Sequence, residues 1–485
     1  MGYNNSVCDI CLKRKKRNQC VEVRIPVESA LKGYFGSLKG KKVAVIGLGV
    51  SNRPLVEGLL DAGVPVLVCD KRRREDFGGL IEELERRGLT AALGPDYLDH
   101  LEGADVIFRT PGLRPDVPQI ARAVAAGAEL TSEMEAFLDL CPCRVIAVTG
   151  SDGKTTTTTI IAGLLKAAGY RTFVGGNIGH PLLCQVDDIR PDDMVVLELS
   201  SFQLMTVAQS PCVAVVTNLA PNHLDVHKDM DEYVNAKRNI FAYQDGRDKL
   251  VLNADNDITA GFAREARGTV TLFSRKKTVA GGVYLRDKTV MSAGRPVLGI
   301  DDILLPGLHN LENYMAAIAA VDDLVPDEVI QEFARTFGGV AHRIELVREL
   351  DGVRWYNDSI ASSPSRTIAG LRSFTQKVLL IAGGYDKHIP YDALGPEIVE
   401  HVKTLLLTGD TAEKIKAATL AAPGYGEGQP AVYDCADLKE AVERARALAK
   451  SGDVVILSPA SASFDRFKNF EERGNIFKDL VNALN

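Results

Sequence analysis

The sequence contains no apolar run that approaches the roughly 18 residues a membrane-spanning helix needs, and no signal peptide is evident at its start. These two absences predict a cytoplasmic protein without membrane insertion. There is also no large excess of charge. The formal net charge is −7 over 485 residues, which argues against nonspecific binding to nucleic acid. Membrane lipid and nucleic acid are therefore not expected as partners.

A disulfide framework is not indicated either. The nine cysteines are scattered along the chain, most of them as single residues, rather than spaced as the paired sets of small secreted domains. This usage is typical of reduced thiols in a cytoplasm. With about 150 residues per domain as a guide, the length of the chain predicts about three domains.

The first part of the chain differs from the rest. Cys8 and Cys11 form a Cys-x-x-Cys pair, and a basic run separates them from Cys20. A zinc site would need a fourth ligand, and the first histidine is His100. We therefore expect residues 1–37 to be an N-terminal extension without ordered structure, or the result of a start codon placed too early. A metal site is the alternative.

A glycine-containing turn follows the apolar stretch Arg144–Val148, which has the composition of a buried parallel strand. The turn reads Thr-Gly-Ser-Asp-Gly-Lys-Thr over residues 149–155, and helical spacing begins after it. This is the context of a phosphate-binding loop, because backbone N–H groups and a helix N-terminus both attract an anion. The spacing is shorter than in the strict Walker pattern, since Val148 replaces its first glycine. In such a loop Lys154 contacts phosphate and Thr155 binds Mg²⁺. The alternative is an ordinary strand–helix turn.

Later strand ends add polar groups to this candidate site. A buried strand over residues 194–197 runs into Glu198, and a carboxylate at a strand end beside a phosphate loop is a usual ligand for Mg²⁺. The next strand, 212–218, precedes His223, which the sequence leaves open as a metal ligand or a surface histidine. Lys237 lies in the following helix, and its pattern alone is that of a solvated lysine.

A second nucleotide-binding pattern lies nearer the N-terminus. An apolar strand leads into a Gly-Leu-Gly turn at residues 47–49, then a helix and a second strand that ends in Asp70. An acidic residue about 20 positions after the glycines is typical of a βαβ nucleotide fingerprint, but Asn52 replaces the third glycine. Three possibilities stay open: a dinucleotide, another phosphate-bearing ligand such as a nucleotide sugar, or no ligand. The basic residues Lys71 and Arg72 would suit a phosphate.

Strands and helices alternate again beyond residue 341, with polar residues at the strand ends. The carboxyl ends of parallel strands form the ligand-binding edge of such sheets, so one shared site is the simplest arrangement. We therefore predict an α/β protein of three domains: a Rossmann-like N-terminal domain at 38–140, a central domain with the parallel sheet of a P-loop ATPase at 141–340, and a Rossmann-like C-terminal domain, also with a parallel sheet, at 341–485.

With these residues in place, the chain resembles the Mur ligase family over about residues 38–485, and within it the member that adds D-glutamate. Thr149–Thr156 matches the T-G-x-x-G-K-T-T loop of the family, so the short spacing is normal there. The Gly-Leu-Gly turn resembles its uridine-nucleotide site, which favours a nucleotide sugar. Further matching motifs are Gly176–Gly179, Glu198–Gln203, Leu308–Asn313, His342-Arg343, Asn357–Ser359, Ser458–Asp465, Phe467–Phe470 and Arg473-Gly474.

The resemblance implies an ATP-dependent amide ligase of peptidoglycan precursor synthesis, acting as a monomer on UDP-N-acetylmuramoyl-L-alanine, D-glutamate and ATP. The substrate carboxylate would attack the γ-phosphate of ATP, and the amine of D-glutamate would displace phosphate from the acyl phosphate. Because two anions must meet, the site needs concentrated positive charge, which Lys154 and two Mg²⁺ would supply. We also expect the third domain to close on the central one and exclude water from the acyl phosphate.

The resemblance also implies roles for single residues. Thr155 and Glu198 resemble ligands of the nucleotide-bound Mg²⁺, and His223 a ligand of the second ion. Lys237 stands in a Y-x-x-A-K motif, where the family carries a lysine carbamylated by CO₂. The carbamate replaces a cation with an anion that can approach Mg²⁺. Lys154, His223 and Lys237 are therefore the predicted catalytic residues.

The other predicted contacts fall into three groups by ligand. The group for ATP includes a phosphate contact at Arg343 and a ribose contact at Asp358, and its members are Gly150, Asp152, Gly153, Lys154, Thr155, Thr156, Asn310, Asn313, Arg343 and Asp358. The group for the UDP-linked substrate comprises Val50, Ser51, Asp70, Lys71, Arg72 and Asn177. The group for D-glutamate comprises Ser362, Lys387, Ser463, Phe464 and Phe470.

Four positions depart from the commoner family pattern. Ser51 and Lys71 stand where the family often has threonine, and the Ser51 hydroxyl can still donate a hydrogen bond to phosphate. Ile360 replaces a lysine and Ser362 a threonine in the predicted D-glutamate pocket. These last two changes alter the hydrogen-bonding groups of that pocket.

Four alternatives remain to be weighed. A folyl-polyglutamate ligase would lack the Gly47–Asp70 unit, and a diaminopimelate-adding sibling would be expected to show a D-N-P-R-type pocket that this chain lacks. A dinucleotide-binding dehydrogenase or redox sensor is disfavoured because the third glycine is missing and the phosphate loop would be unexplained. A non-catalytic ATP-gated binding module is disfavoured by four residues that occur together: Lys154, Glu198, His223 and Lys237.

Overall fold

The computed structural model describes residues 29–223, 226–426 and 429–485. It contains three sheets with helices packed on them, which confirms the predicted α/β fold. The chain forms two compact units: one extends to Pro296 and includes Asn313–Pro326, and the other comprises Val297–Glu312 and Asp327–Asn485. The division into three domains at 38–140, 141–340 and 341–485 stays a prediction.

The N-terminal sheet has five parallel strands in the order β3-β2-β1-β4-β5. Its central strand β1 is buried along its whole length, as expected for an apolar strand with helices on both faces. The strands are β1 (Val43–Ile46), β2 (Val66–Asp70), β3 (Leu89–Leu93), β4 (Val106–Phe108) and β5 (Glu129–Thr131). The helices are α1 (Ala30–Ser37), α2 (Asn52–Asp61), α3 (Leu80–Glu85), α4 (Pro118–Ala125) and α5 (Glu133–Leu140).

Helix α1 corrects the prediction that residues 1–37 lack ordered structure. The Ser29 side chain caps α1 by accepting the backbone N–H of Lys32, and Phe35 is buried in the core. The ring packs onto α2 at Gly58, where an added Cβ would lie 2.9 Å from it. The prediction was wrong for residues 29–37 because one fully buried side chain in a helix of eight residues is a weak sequence signal. The cysteine motif of the extension lies outside the described residues.

The central sheet has nine strands in the order β14-β13-β12-β11-β10-β9-β6-β8-β7. The strands are β6 (Arg144–Thr149), β7 (Thr172–Gly176), β8 (Met194–Glu198), β9 (Val213–Val216), β10 (Lys249–Asn253), β11 (Thr269–Ser274), β12 (Val283–Arg286), β13 (Thr289–Ser292) and β14 (Arg295–Gly299). The helices are α6 (Lys154–Ala167), α7 (Ser201–Leu204), α8 (Met230–Ala242), α9 (Asp257–Gly261), α10 (Leu308–Val321) and α11 (Asp327–Thr336).

The prediction of a wholly parallel central sheet needs one correction. Strands β12 and β13 pair antiparallel at its edge. Asp287 and Lys288, which connect them, have φ values of 45° and 62°, the left-handed conformation of a two-residue hairpin turn. The pairs from β6 to β11 are parallel as predicted, and they carry the phosphate loop.

The N-terminal and central sheets share one hydrophobic core. It includes Phe35 and Leu55 from the first part of the chain together with Leu183 and Val186 from the central part. Buried Glu133 at the start of α5 adds a polar contact, because its Oε1 accepts the backbone N–H of Leu183 at 2.9 Å. This continuous packing explains why both sheets fall largely in one compact unit.

The third sheet has six strands in the order β15-β16-β20-β17-β18-β19. It is not wholly parallel as predicted, because β15 and β16 pair antiparallel around Asp351 and Gly352, both of which have positive φ. The strands are β15 (Glu345–Leu350), β16 (Val353–Asn357), β17 (Val378–Ala382), β18 (Val402–Leu407), β19 (Ala431–Asp434) and β20 (Val454–Leu457). The helices are α12 (Pro364–Leu371), α13 (Leu394–His401), α14 (Ala412–Leu420), α15 (Leu438–Leu448) and α16 (Phe470–Asn482).

Among the described residues, none of the helices combines the length and the apolar character that a membrane crossing requires.

Candidate active site

The phosphate loop joins β6 to α6 and depends on two glycines. Gly150 has a φ of 151° and Gly153 a φ of 78°, values that L side chains rarely adopt. A Cβ at Gly150 would lie 1.9 Å from Oγ1 of Thr217, and one at Gly153 would lie 2.3 Å from Oδ1 of Asn313. The neighbouring strand end and helix α10 therefore pack directly against the loop backbone.

Lys154 is held over this loop. Its Nζ donates to the carbonyl oxygens of Gly150 at 3.0 Å and Ser151 at 2.9 Å. The backbone N–H of Asp152 donates to Oδ1 of Asn218 at 3.0 Å. The structure thus gathers the predicted phosphate-binding residues 150–156 into one loop at the helix N-terminus, where an anion is stabilised.

Lys237 lies beside the same loop, although its sequence pattern was that of a solvated lysine. Its side chain is only 2% exposed, and its Nζ donates to Oγ1 of Thr149 at 3.2 Å and to the carbonyl oxygen of Gly150 at 2.9 Å. Burial lowers the pKa of Lys237 well below its ordinary value, and the positive charge of Lys154 adds to the effect, while Glu198 opposes it. The uncharged amine is therefore easier to form here than on an exposed lysine.

Glu198, at the end of β8, offers a free carboxylate oxygen to the site. Oε1 accepts a hydrogen bond from Nδ2 of Asn177 at 2.8 Å. Oε2 is buried and has no hydrogen-bond partner among the described residues. Because buried polar atoms are nearly always paired, this oxygen fits a bound cation. A hard oxygen donor of this kind suits Mg²⁺.

His223 follows β9 in an exposed loop and has a φ of 55°. Its ring lies edge-on to Phe202, with 5.1 Å between ring centroids. Within the described residues no group of three or more His, Cys, Asp and Glu side chains has the arrangement of a metal centre. The metal roles of Thr155, Glu198, His223 and Lys237 therefore stay predictions, supported so far by the unpaired oxygen of Glu198.

A buried network near His223 was missed by the sequence analysis. Nε2 of His227 lies 2.9 Å from Oγ of Ser201, and Nδ1 lies 3.4 Å from Oε2 of Glu232. Burial lowers the pKa of His227, against the opposing effect of Glu232, which favours the neutral ring. Arg114, from the loop after β4, forms a two-pronged ion pair with Glu232 at 2.8 Å for both contacts. A second histidine four residues after His223 was the only sequence signal of this network.

A cavity of about 190 Å³ lies between the N-terminal and central sheets. Among the residues that line it are the predicted substrate contacts Val50, Ser51 and Asn177. Arg109 and Glu133, which the sequence analysis did not select, also line it. The structure thus brings three residues of the predicted UDP-substrate group together in one cavity.

The remaining members of that group form a turn at the end of β2. Asp70 is buried and accepts the backbone N–H of Leu48 at 2.8 Å through Oδ2. Arg72 donates to both oxygens of Asp70, at 3.1 and 2.8 Å, and to the carbonyl oxygen of Leu48 at 2.9 Å. Hydrogen bonds from Arg72 and from backbone N–H groups hold the pKa of Asp70 below its usual value against the opposing effect of burial. Lys71 is exposed beside this pair.

Arg109 orders the loop that faces the cavity. Its side chain is 1% exposed, and it donates to carbonyl oxygens of its own loop and, at 2.9 Å, to that of Phe202 in α7. Burial lowers its pKa to about 10. The sequence signal that could have identified Arg109 is a basic residue directly after the buried strand β4. In the structure this residue is a buried clamp, because it links the loop after β4 in the N-terminal sheet to α7 beside the central sheet.

Around the third sheet, the predicted D-glutamate residues lie on three segments. Lys387 follows β17, Ser463 and Phe464 follow β20, and Phe470 begins α16. Ser362 lies apart from these, between β16 and α12. The backbone N–H of Tyr385 donates to the carbonyl oxygen of Ala462 at 2.9 Å, which joins the loop of Lys387 to that of Ser463. Ser463 is buried and Lys387 is exposed. The exposed groups are thus carried on loops held by backbone contacts.

The two predicted aromatic contacts differ in their exposure. The ring of Phe464 is 61% exposed and lies 6.0 Å from that of Tyr385. The half-buried ring of Phe470 lies 6.0 Å from that of His342. Phe464 therefore keeps most of its surface available for contact.

Arg473 fixes these loops and was not selected as a site residue. The buried guanidinium donates to the carbonyl oxygens of Ser359, Ser461 and Ala462 at 2.8 to 3.2 Å, and to Oγ of Ser359 at 3.0 Å. Burial lowers its pKa to about 10. The Arg-Gly motif before residue 475 was visible in the sequence, but the carbonyl groups that Arg473 binds were not.

The residues predicted to contact the rest of ATP are distributed over both units. Asn313 lies beside the phosphate loop, where its Oδ1 accepts the Thr157 hydroxyl at 3.2 Å. Asn310 donates to the carbonyl oxygen of Pro306 at 2.7 Å. Asp358 is 4% exposed and accepts the Ser458 hydroxyl at 2.7 Å, and burial raises its pKa to about 7. The ribose contact of Asp358 and the phosphate contact of Arg343 stay predictions.

The fold and the phosphate loop define an α/β nucleotide-binding protein built on three sheets. Comparison with models of known protein families identifies the family. The MurD-like N-terminal domain of Mur ligases matches residues 41–132, the Mur ligase middle domain matches residues 148–321, and the Mur ligase glutamate ligase domain matches residues 342–461. The chain belongs to the Mur ligase family, so the resemblance inferred from its motifs is confirmed.

Curated relatives are similar over nearly the whole chain. A UDP-N-acetylmuramoylalanine–D-glutamate ligase from Acetivibrio thermocellus is 54% identical over 465 residues, which cover 94% of this chain and 100% of the relative. A ligase of the same name from Ruminiclostridium cellulolyticum is 53% identical, with 94% and 100% covered. One from Clostridium novyi is 50% identical, with 92% and 98% covered.

Solved structures of the family share the fold. UDP-N-acetylmuramate-alanine ligase MurC from Thermotoga maritima has a TM-score of 0.55 at 19% identity, covering 91% of this chain and 99% of that one. A UDP-N-acetylmuramoyl-L-alanyl-D-glutamate–2,6-diaminopimelate ligase has a TM-score of 0.56 at 18% identity, covering 92% and 93%. At these identities the likeness supports the fold alone.

Proposed function

We propose that this protein is an ATP-dependent amide ligase that adds D-glutamate to UDP-N-acetylmuramoyl-L-alanine in cytoplasmic synthesis of the peptidoglycan precursor. The observation that carries the proposal is the buried Lys237 amine against the phosphate loop, 2.9 Å from the carbonyl oxygen of Gly150. A structural lysine would be expected to donate hydrogen bonds to a carboxylate, but the Lys237 amine donates to a hydroxyl and a carbonyl group. The relatives of 50–54% identity support the substrate assignment.

ATP binds at the loop between β6 and α6 in this proposal. Its phosphates accept backbone N–H groups at the N-terminus of α6, and Lys154 turns from the loop carbonyls toward them. Thr155, Glu198 and His223 hold two Mg²⁺ ions, and the unpaired Oε2 of Glu198 is the atom that best supports this. Bound Mg²⁺ would neutralise the charge that develops between the γ-phosphate and the substrate carboxylate.

Lys237 has the properties that carbamylation requires. Only an uncharged amine attacks CO₂, giving R–NH–COO⁻ and releasing one proton, and burial favours that form of Lys237. The product places a negative charge beside the phosphate loop, where the Lys237 ammonium would repel a metal ion. We therefore propose carbamylated Lys237 as a positioning group for the metal side of the site.

The cavity between the N-terminal and central sheets holds the UDP-linked substrate. Ser51 and Asn177 offer hydrogen bonds there. The basic turn at Lys71 and Arg72, at the end of β2, binds the nucleotide part of the substrate. Asn177 also binds Glu198, so it touches both the cavity and the proposed metal ligand. This link favours delivery of the substrate carboxylate to the phosphate loop.

The D-glutamate step uses the second compact unit. Lys387, Ser362, Ser463, Phe464 and Phe470 provide an ammonium group, hydroxyl groups and aromatic surface, which are the groups that suit an amino acid with two carboxylates. The chemistry requires these groups to reach the acyl phosphate while water is excluded. Scattering profiles with and without nucleotide plus substrate test this closure, and identical profiles would contradict it.

Phosphate release from ATP tests the proposal directly. The full chain is incubated with UDP-N-acetylmuramoyl-L-alanine and one amino acid at a time: D-glutamate, L-glutamate, D-aspartate or meso-diaminopimelate. We expect turnover with D-glutamate alone. Turnover with another amino acid would keep the ligase chemistry but reject the assigned pocket around Ile360 and Lys387. Absence of turnover despite ATP binding would reject the proposal.

Substitution of Lys237 tests its role. Lys237→Ala should lower kcat by about a hundredfold or more, as for loss of a preorganised electrostatic group. Bicarbonate should not restore kcat in this variant. A short-chain carboxylic acid should restore it in part. Lys166→Ala on the exposed side of α6 is the control and should leave kcat unchanged. Equal rates for the Lys237→Ala variant and the unaltered chain would exclude the carbamate role.

A further inference from the structure

The connector between the N-terminal and central sheets carries two adjacent thiols. It reads Cys141-Pro142-Cys143 and runs from the end of α5 into β6. The two Sγ atoms lie 3.7 Å apart, compared with about 2.05 Å in a disulfide bond. No disulfide joins cysteines among the described residues, so this pair is present as a dithiol.

The two thiols differ in accessibility and in acidity. Cys141 is half-buried, whereas Cys143 is 8% exposed. The hydrogen bond with the Cys143 thiol lowers the pKa of the Cys141 thiol. The same hydrogen bond raises the pKa of Cys143, and burial adds to the effect, as do the charges of Asp193 and Cys212. Cys141 is therefore both the more exposed residue and the one whose pKa is lowered, as expected of an attacking thiol.

We propose that Cys141 and Cys143 form a covalent modification site that exchanges with low-molecular-weight disulfides and closes reversibly into an intramolecular disulfide. Cys141 is the attacking sulfur, and Cys143 is the resolving sulfur. Neither residue belongs to the proposed ligase site, and the inference does not depend on the proposed function.

The exchange balances in two steps. The Cys141 thiolate attacks one sulfur of the small disulfide, forming a mixed disulfide and releasing one small thiolate. Cys143 then loses its proton to solvent and attacks Sγ of Cys141, which forms the Cys141–Cys143 bond and releases the second small thiolate. The two protein thiols are oxidised and the small disulfide is reduced to two thiols. Excess small thiol runs both steps backward.

Glutathione disulfide is the probe, and the full chain is used with Cys8, Cys11 and Cys20 replaced by serine, because those thiols lie outside the described residues. After exposure, free thiols are blocked with N-ethylmaleimide and the denatured protein is weighed by mass spectrometry. We expect the oxidised protein to carry two fewer maleimide groups than the reduced protein. Without maleimide treatment, the oxidised protein should be about 2 Da lighter than the reduced protein, because two hydrogen atoms are lost. A peptide map should join Cys141 to Cys143. Dithiothreitol should restore both thiols.

Single substitutions separate the two roles. Cys143→Ser should trap glutathione on Cys141, whereas Cys141→Ser should leave Cys143 unmodified on the same timescale. Cys184→Ser is the matched control. Burial raises the pKa of Cys184 to about 11, so this thiol should not react, and the Cys184→Ser variant should be oxidised like the parent protein. A disulfide to Cys212, a stable mixed disulfide in the parent, or full maleimide labelling after oxidation would overturn the proposal.

Discussion

The ion pair between Arg114 and Glu232 gives a quantitative test of how the two sheets of the first unit are joined. Arg114 follows β4 of the N-terminal sheet, and Glu232 lies in α8, the helix that carries Lys237. Both contacts of the pair are 2.8 Å long, and the side chains are 21% and 23% exposed. The planar guanidinium matches the carboxylate in a two-pronged geometry that single surface pairs lack.

The magnitude follows from the pKa of Glu232. The hydrogen bonds from Arg114 lower it from 4.5 to about 2, and at 1.36 kcal/mol per unit this corresponds to an upper limit of about 3 kcal/mol. The backbone N–H of Lys228 accounts for part of the shift, and partial exposure screens the charges. We therefore expect a coupling energy of about 1–2 kcal/mol between Arg114 and Glu232.

Hydrogen exchange of α8 (Met230–Ala242) measures this coupling in the double-mutant cycle of Arg114→Ala and Glu232→Ala. Tryptophan fluorescence would not, because the single tryptophan, Trp355, lies in the second unit. A coupling of 1–2 kcal/mol appears as a protection change of about 5- to 30-fold. The cycle removes the contribution of Asp116, which also binds Arg114, because that loss is common to both backgrounds.

Two comparisons can refute this reasoning. The exposed pair Arg53–Glu57 on α2 is the control, and its coupling should stay at about 0.3–0.5 kcal/mol. Equal couplings for the two pairs would show that burial and geometry add nothing at Arg114.

The pH dependence gives the second comparison. Because the folded pKa of Glu232 is lowered, its contribution is full above about pH 4.5 and is lost as the pH falls toward 2. If the change in hydrogen-exchange protection is the same at pH 4.5 and at lower pH, the assignment of this coupling to the Glu232 carboxylate would be contradicted.

Three further predictions follow from the sites. Glu198→Gln should keep the bond to its amide neighbour but weaken Mg²⁺-dependent nucleotide binding by about tenfold or more, measured by calorimetry, because a charged oxygen ligand is lost. Arg473→Lys should raise KM for D-glutamate by about tenfold without changing that for ATP, since buried carbonyl groups lose donors worth about 1–3 kcal/mol. Asp358 has a raised folded pKa of about 7, so its contribution to stability falls as the pH rises from about 4 to 7. Asp358→Asn should remove that slope from urea unfolding followed by Trp355 fluorescence.

The fold was largely predictable because its strands are short, apolar and bounded by glycine or polar residues. The apolar stretches at 144–148 and 194–197, which the sequence predicts as buried strands, lie within β6 (Arg144–Thr149) and β8 (Met194–Glu198), since buried parallel strands consist of continuous apolar runs. The edge hairpins at Asp287 and Asp351 were not predicted. Strand β15 is half-exposed and carries charged residues, and strands β12 and β13 have only four residues each, with polar residues at their ends. The long continuous apolar run that identified the central strands is therefore absent there.

The candidate site was predictable where one local motif carries the chemistry. The phosphate loop is such a motif, because its glycines, Lys154 and helix N-terminus are contiguous in the chain. The clamp residues Arg109 and Arg473 were missed because each also binds a carbonyl group from a segment far away in the chain, that of Phe202 and that of Ser359 respectively. A sequence shows an arginine but not which backbone oxygens will surround it.

The amino-acid sequence by itself determined the α/β class, the phosphate loop and, through its motifs, membership of the Mur ligase family. These properties reside in contiguous residues, whose spacing alone specifies a strand, a turn or a helix start. Only the tertiary structure decided that Lys237 is a buried amine with a lowered pKa and that Glu198 has one unpaired oxygen. Both properties arise from desolvation by segments far apart in the chain, and desolvation exists only once those segments are packed together.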